Sequence, residues 1–269
     1  MSTDVIKLEI RGKIAIITID NEKKLNALNQ DGYYALATAM HKVAARDDVY
    51  ITVLTGKGRF FSAGADVTTQ RSVPQGEDPR RTFLRSFVSN NMHITHAFYT
   101  HPKILVTALN GPAVGLSAAL TALSDFVYAA PHTFLLTPFS SLGLVAEGGA
   151  SQAFVKRLGI SKANEALIMS KRITSEELVH TGFVNKIFDT GKDSDKFLAE
   201  VLKEIDERMG DHLNSDSMVK IKALIRKPDM DVLDRQGVLE VMGGLERFLS
   251  GVPQEEFRKI ASGEKKHKL

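Results

Sequence analysis

An α/β core followed by a helical C-terminal region is the fold class that this sequence predicts, and three observations carry it. Apolar, β-branched runs alternate with helically spaced segments as far as FVNKIF at 183–188. From about 194 to 262 strands become scarce and helical stretches dominate, with breaks at Pro228 and Pro253. The composition, 43% hydrophobic and 25% charged over 269 residues, suits one large domain or a core with an appendage. The division this implies is a core over 1–193 and a helical region with a basic tail over 194–269.

Taken in order, residues 5–20 hold β-branched runs on either side of Arg11-Gly12 and predict a hairpin. Asn29 can cap a helix whose apolar face includes Tyr33, Leu36, Met40 and Val43. YITVLTG (50–56) predicts a strand that ends in the loop GKGRFFSAGAD. Residues 67–80, with Pro74, Gly76 and Pro79 among polar neighbours, predict a mobile loop or lid, and a helix follows from about Arg81 to Tyr99. The strand–turn–helix pattern then recurs as ILVTALN, NGPAVG and LSAALTAL. A strand pair is expected near 126–136 and a helix near 150–157.

Several function classes are excluded early. Cysteine is absent, so a disulfide framework, a thiolate zinc site and a thiol nucleophile are all impossible. A net charge of +3 without a dense basic, aromatic-interleaved patch gives no expectation of nucleic-acid binding. Residues 104–124 run 21 positions without a charge, long enough for a bilayer, but Asn110-Gly111-Pro112 in the middle reads as a turn. A buried strand, a turn and a buried helix are expected there rather than a membrane span. His93 and His96 are three apart on a probable helix face, but no third ligand is evident, and no metal site is expected.

Three segments can carry chemistry. Ser62-Ala63-Gly64-Ala65-Asp66 follows a strand, and its small residues let backbone N–H groups approach a ligand; a plain tight turn reads equally well. Asn110 to Ser117, NGPAVGLS, turns a strand into a helix N-terminus, where free N–H groups favour negative charge. It lacks the spacing of a dinucleotide fingerprint, the ending of a P-loop and a GxSxG elbow, and a packed strand–helix turn is its bland reading. In Leu144-Val145-Ala146-Glu147-Gly148-Gly149, Glu147 shares the stretch between Lys103 and Lys156 with just one other acid, Asp125, and no Lys or Arg. A carboxylate so placed is expected to be desolvated, with its pKa raised towards values useful for proton transfer. The plainer alternative is a glutamate stabilised by the dipole of the next helix.

Two strand-to-turn segments with open amides and an isolated acid further on resemble the crotonase (enoyl-CoA hydratase/isomerase) family over roughly residues 5 to 260. LNAL (25–28) looks like its early CoA-contacting loop, FFSAGAD and NGPAVGLSAAL like its two oxyanion segments, and SLGLVAEGG like its acid-bearing segment. The resemblance implies a crotonase (ClpP/crotonase-like) α/β fold, a spiral of β-β-α units with a helical C-terminal trimerisation region. It also implies self-association as a trimer or a dimer of trimers. The oxyanion hole would be the N–H groups of Ala65 and Leu116, and a donor of this kind is worth about 2.7–4 kcal/mol of barrier.

The departures from the family pattern select the reaction. The two glutamates with which the family's hydratases activate water would fall at Ala119 and Phe139, where no proton can be moved. An acid at the Phe139 position is also expected of dienoyl-CoA isomerases, which argues against that activity. What remains is the single base Glu147, as in the family's 3-enoyl-CoA to 2-enoyl-CoA (Δ3-Δ2-enoyl-CoA) isomerases. The pattern most resembles the fungal peroxisomal ones, where Asn91 matches a polar residue near the acyl site. Phe139 would help to keep water out.

Lys24, Ala27, Ala63, Gly64 and Asp66 are the expected CoA contacts, and no metal or redox cofactor is required because coenzyme A belongs to the substrate. His267-Lys268-Leu269 resembles the Ser-Lys-Leu peroxisomal address, read by an import receptor. The competing readings are another crotonase-fold acyl-CoA enzyme, hydratase or thioesterase, and a non-catalytic acyl-CoA-binding module.

Overall fold

β1 (Ile6–Arg11) and β2 (Ile14–Ile19) form the expected antiparallel hairpin, with Ile6 opposite Ile19. The computed structural model describes residues 5–66, 68 and 73–266. β1 is a sheet edge, and its Lys7, Glu9 and Arg11 put charge where an unpaired edge would otherwise recruit another strand. β3 (Ile51–Gly56) and β4 (Ile104–Leu109) then add in parallel, each buried along its whole length. Burial on both faces is why they read as unbroken apolar runs. With β6 (Phe126–Ala129) and β9 (Lys186–Ile187) they complete a six-stranded sheet of order β1-β2-β3-β4-β6-β9.

The predicted strand pair at 126–136 is divided between two sheets. β6 has both edges occupied, by β4 and β9, so β7 (Phe134–Leu136) pairs instead with β5 (Ala113–Val114) and β8 (Ile173–Thr174). β5 lies inside the expected NGPAVG turn, and FVNKIF shortens to the two residues of β9. Residues 104–124 resolve into β4, β5 and the helix α4 (Leu116–Thr121). Among the described residues, no helix is long and apolar enough to cross a membrane.

α1 (Gln30–Ala44) starts where Asn29 accepts a hydrogen bond from the Gly32 N–H at 2.9 Å, and it buries Tyr33, Leu36, Met40 and Val43. The helix expected over 81–99 comes in three contiguous pieces. α2 (Pro79–Phe83) is capped by Asp78, a π-helical turn spans Leu84–Val88, and α3 (Ser89–Tyr99) follows. Of the expected lid, residues 67 and 69–72 lie outside the described residues, and 73–78 lead into α2.

α5 (Ala150–Leu158), α6 (Ile160–Leu167) and α7 (Ser175–His180) close the core region. One sheet face carries the main core, formed with α1, α3, α4 and α5. The other face is covered by α8 (Ser194–Met209) through Phe197, Val201 and Ile205. α9 (Ser215–Arg226) is tied to the start of β6 by Asp125, which accepts from Lys222 and Arg226 at 2.7 and 2.8 Å. α10 (Met230–Leu249) and α11 (Val252–Ala261) return towards α2 and α3, where Val241, Leu245 and Phe248 join Phe83 and Val88 in a small separate core.

Candidate active site

The two small-residue segments and the acid meet at one cavity of about 330 Å³, whose walls include Ala65, Leu116, Glu147 and Asn91. The first two are drawn together by backbone pairing. Ser62 bridges to Ala113, the Val114 N–H donates to the Ser62 carbonyl at 2.9 Å, and the Phe61 N–H donates to the Pro112 carbonyl at 3.1 Å. Gly64 makes the approach possible. A Cβ at this position would lie 2.7 Å from the Val114 carbonyl oxygen, and φ is +84°.

Backbone accounting then singles out two donors. In the SAGAD segment, the N–H groups of Ala63, Gly64 and Asp66 donate to Leu25 O (2.9 Å), Ser62 Oγ (3.1 Å) and Leu28 O (2.9 Å). Leu116 opens α4, where a first-turn N–H has no carbonyl four residues back. Among the described residues, neither the Ala65 nor the Leu116 N–H donates to another group of the chain. Two amides on one apolar wall are an arrangement that can hold a developing oxyanion.

The LNAL loop packs against the first of these segments. Leu28 bridges to Ala65, and Asn26, fully buried with φ at +60°, donates through Nδ2 to the carbonyls of Lys57 (2.8 Å) and Phe60 (2.7 Å). Ala27 sits in this loop, outside the cavity wall. Ser62, Ser117 and Tyr33 form a hydrogen-bonded hydroxyl chain, with oxygen separations of 2.9 and 3.0 Å, that pins the start of α4 to α1. Single-residue patterns gave no sign of this chain; serines and a core tyrosine are common, and the fold alone brings them into line.

Two carboxylates line the cavity, and their environments differ. Asp66 is 8% exposed, and burial by itself pushes its pKa up. Lys24 at 2.6 Å and the hydroxyl and N–H of Thr68 at 2.7 and 2.9 Å outweigh that and hold it below the usual carboxylate value. Lys24 is thereby engaged at the rim by Asp66. Glu147 is half-buried at the cavity wall, where its Oε2 accepts from Asn91 Nδ2 at 2.6 Å. Asn91 is 4% exposed on α3, and Thr95 donates to its Oδ1 at 3.4 Å.

Phe139 requires a correction. Its ring is 2% exposed within the main core and is absent from the cavity wall, so it stands behind the site rather than shielding it. A large apolar ring without a polar edge gains most from complete burial, and the core offered it. Ala119 is likewise buried in that core.

Sequence reasoning also missed Glu240. This α10 carboxylate accepts from the Gly149 N–H at 2.7 Å, the Ser151 N–H at 2.9 Å and the Ser151 hydroxyl at 2.5 Å, so it caps α5 two residues beyond Glu147. Burial pushes its pKa up, against those three donors. No sequence signal marks it, because the partner lies 91 residues away.

A family model described as enoyl-CoA hydratase/isomerase matches residues 9–239. The chain belongs to the enoyl-CoA hydratase/isomerase family. It is 61% identical to a Delta(3,5)-Delta(2,4)-dienoyl-CoA isomerase of Pyricularia oryzae, over 98% of this chain and 99% of that protein. It is 35% identical to a 3,2-trans-enoyl-CoA isomerase of Saccharomyces cerevisiae, over 98% and 96%. The crystal structure of an enoyl-CoA hydratase/isomerase from Pseudoalteromonas atlantica shares the fold, with a TM-score of 0.82 and 24% identity over 98% of this chain and 100% of that one. The Pyricularia relative's name runs against the expectation that Phe139 argues against dienoyl chemistry. Within the family, both named relatives are double-bond isomerases.

Proposed function

We propose that the chain is an enoyl-CoA isomerase that converts a 3-enoyl-CoA to the conjugated 2-enoyl-CoA in the oxidation of unsaturated fatty acids. The observation that carries this reading is the division of labour between two carboxylates. Asp66 is held by Lys24, which leaves Glu147, fixed by Asn91, to move protons across from the Ala65 and Leu116 amides.

The thioester oxygen accepts from both amides. Glu147 removes a proton from C2, and the negative charge passes to that oxygen as a dienolate. Glu147 then returns the proton to C4, and the double bond ends conjugated with the carbonyl. C2 and C4 are neighbours but one, so a single carboxylate reaches both within the half-buried site. Hydration is disfavoured because the second carboxylate among the described wall residues, Asp66, is held by Lys24, and Ala119 and Phe139 both lie in the core.

The 61% identical relative favours a second reading, the shift of a 3,5-dienoyl-CoA to the 2,4-dienoyl-CoA. That reaction needs a proton at C6, farther along the chain from C2 than C4, and one carboxylate serves it less well. The test is absorbance at the conjugated-thioester bands, with a 3-enoyl-CoA and a 3,5-dienoyl-CoA offered separately to the wild type and to Glu147→Gln. Turnover of the 3-enoyl-CoA, reduced about 10²–10⁴-fold in a folded variant, is the expected result. Turnover of the dienoyl substrate alone would replace the first reading with the second. Ligand binding without any turnover would leave a non-catalytic acyl-CoA-binding module, and free CoA release a thioesterase.

Ile221, Leu224 and Ile225 on α9 and Ile168 and Met169 after α6 are exposed apolar groups, which fits self-association as a trimer or a dimer of trimers. The proposed peroxisomal address, His267-Lys268-Leu269, lies outside the described residues.

A further inference from the structure

Beside Glu147 and Asn91 the cavity wall also carries four aromatic rings, Phe83, Phe87, Phe248 and Phe257. Three of these rings support one another. Phe83 and Phe248 stack at 5.3 Å, and Phe87 tilts against Phe248 at 4.7 Å. Phe83 and Phe248 belong to the small core between α2 and α10, whereas Phe87 is half-buried against its surface.

Phe87 occupies the π-helical turn, four residues before Asn91, and both residues line the cavity. One wall therefore holds Ala65, Leu116, Glu147 and Asn91 together with Phe87 and Phe248. The far edge of the Phe87 ring rests on α10 at Gly244, where a Cβ would lie 2.6 Å from both Cε1 and Cζ. Glycine is a poor residue for the middle of a twenty-residue helix. Here it provides the seat for a ring that also lines the cavity.

Resting on the acyl-CoA reading above, we propose that Phe87, seated on Gly244, sets how long an acyl tail the site accepts. The substrate class is then an enoyl-CoA whose tail continues several methylenes past the reacting carbons and packs on the Phe87–Phe248 pair. A methyl group at residue 244 drives the ring away from α10, and the open direction is into the cavity.

The test uses calorimetric binding of saturated hexanoyl-, octanoyl-, decanoyl- and dodecanoyl-CoA to the full chain, with circular dichroism to establish folding. For the wild type, Kd should tighten about fourfold per buried methylene until the tail passes the rings. Gly244→Ala should cancel this gain for the two longer ligands and leave hexanoyl-CoA within about threefold. The double variant Gly244→Ala/Phe87→Ala should regain it, because the displaced ring is gone. A uniform loss across all lengths in Gly244→Ala, or a double variant that recovers nothing, would overturn the proposal. Binding is read separately from turnover, so an inactive wild type with this Kd pattern would count against isomerisation and still uphold the tail site.

Discussion

Substituting Gly64 by alanine tests whether the two amide donors depend on the close approach of their segments. The perturbation has two parts. Alanine at φ +84° carries a left-handed penalty of about 1–2 kcal/mol. Its Cβ would also lie 2.7 Å from the Val114 carbonyl oxygen, well inside van der Waals contact. That oxygen belongs to backbone and cannot swing aside, so the segments that carry Ala65 and Leu116 must separate. Gly12→Ala isolates the first part, since Gly12 has φ +56° in the β1–β2 turn and nothing within 4 Å of its Cβ position.

Both variants should lower Tm by a few degrees, at about 2–4 °C per kcal/mol for a chain of this size. Gly64→Ala should fall further and lose about 10²–10³-fold in kcat, with KM little changed. On the proposed mechanism the amides bind the charge that develops in the transition state more strongly than the ground-state carbonyl, which places the loss in kcat. Melting curves and steady-state rates on a 3-enoyl-CoA read both quantities. If Gly64→Ala matched Gly12→Ala in melting and kept wild-type kcat, the paired segments would not be what holds the hole.

Asn91→Ala removes the 2.6 Å bond to Glu147, a charge-assisted hydrogen bond worth about 1.5–3 kcal/mol, so kcat should fall about 10- to 10²-fold while acyl-CoA affinity stays close to wild type; an unchanged kcat would remove Asn91 from the site. His101 is 3% exposed, its Nε2 is 2.7 Å from Thr52 Oγ1, and burial, reinforced by the Lys222 cation, holds its pKa down to about 3 against an ordinary 6.5. Between those two values the unfolded chain binds the proton and the folded chain does not, so this contribution to stability is lost as pH falls below about 6.5. Urea titrations at pH 7 and pH 5 should show about 2 kcal/mol less pH sensitivity in His101→Gln than in the wild type, and equal sensitivity would refute the assignment.

The order of chemical parts along the chain was legible because each part is local. Small residues after a strand, a turn before a helix, and an acid in an apolar stretch need only neighbouring residues to be recognised, and Ala65, Leu116, Glu147 and Asn91 do line one cavity. Length and apolar runs likewise marked β3 and β4, because a strand buried on both faces must be apolar throughout. Sheet membership was not legible. β6 and β7 are adjacent in sequence yet belong to different sheets, and the choice depended on which edges β4 and β9 had already taken.

Phe139 was misplaced for a related reason, since an apolar ring fits a cavity wall and a core equally well in sequence. The same limit hid the Glu240 cap on α5, the Tyr33–Ser117–Ser62 hydroxyl chain and the seat of Phe87 on Gly244. Each is a contact between groups far apart in sequence, and neither residue type carries a pattern of its own. What the chain alone determined is which groups can hold an oxyanion and move a proton. The tertiary structure decided how each carboxylate is held, because only packing could place Lys24 on Asp66 and Asn91 on Glu147.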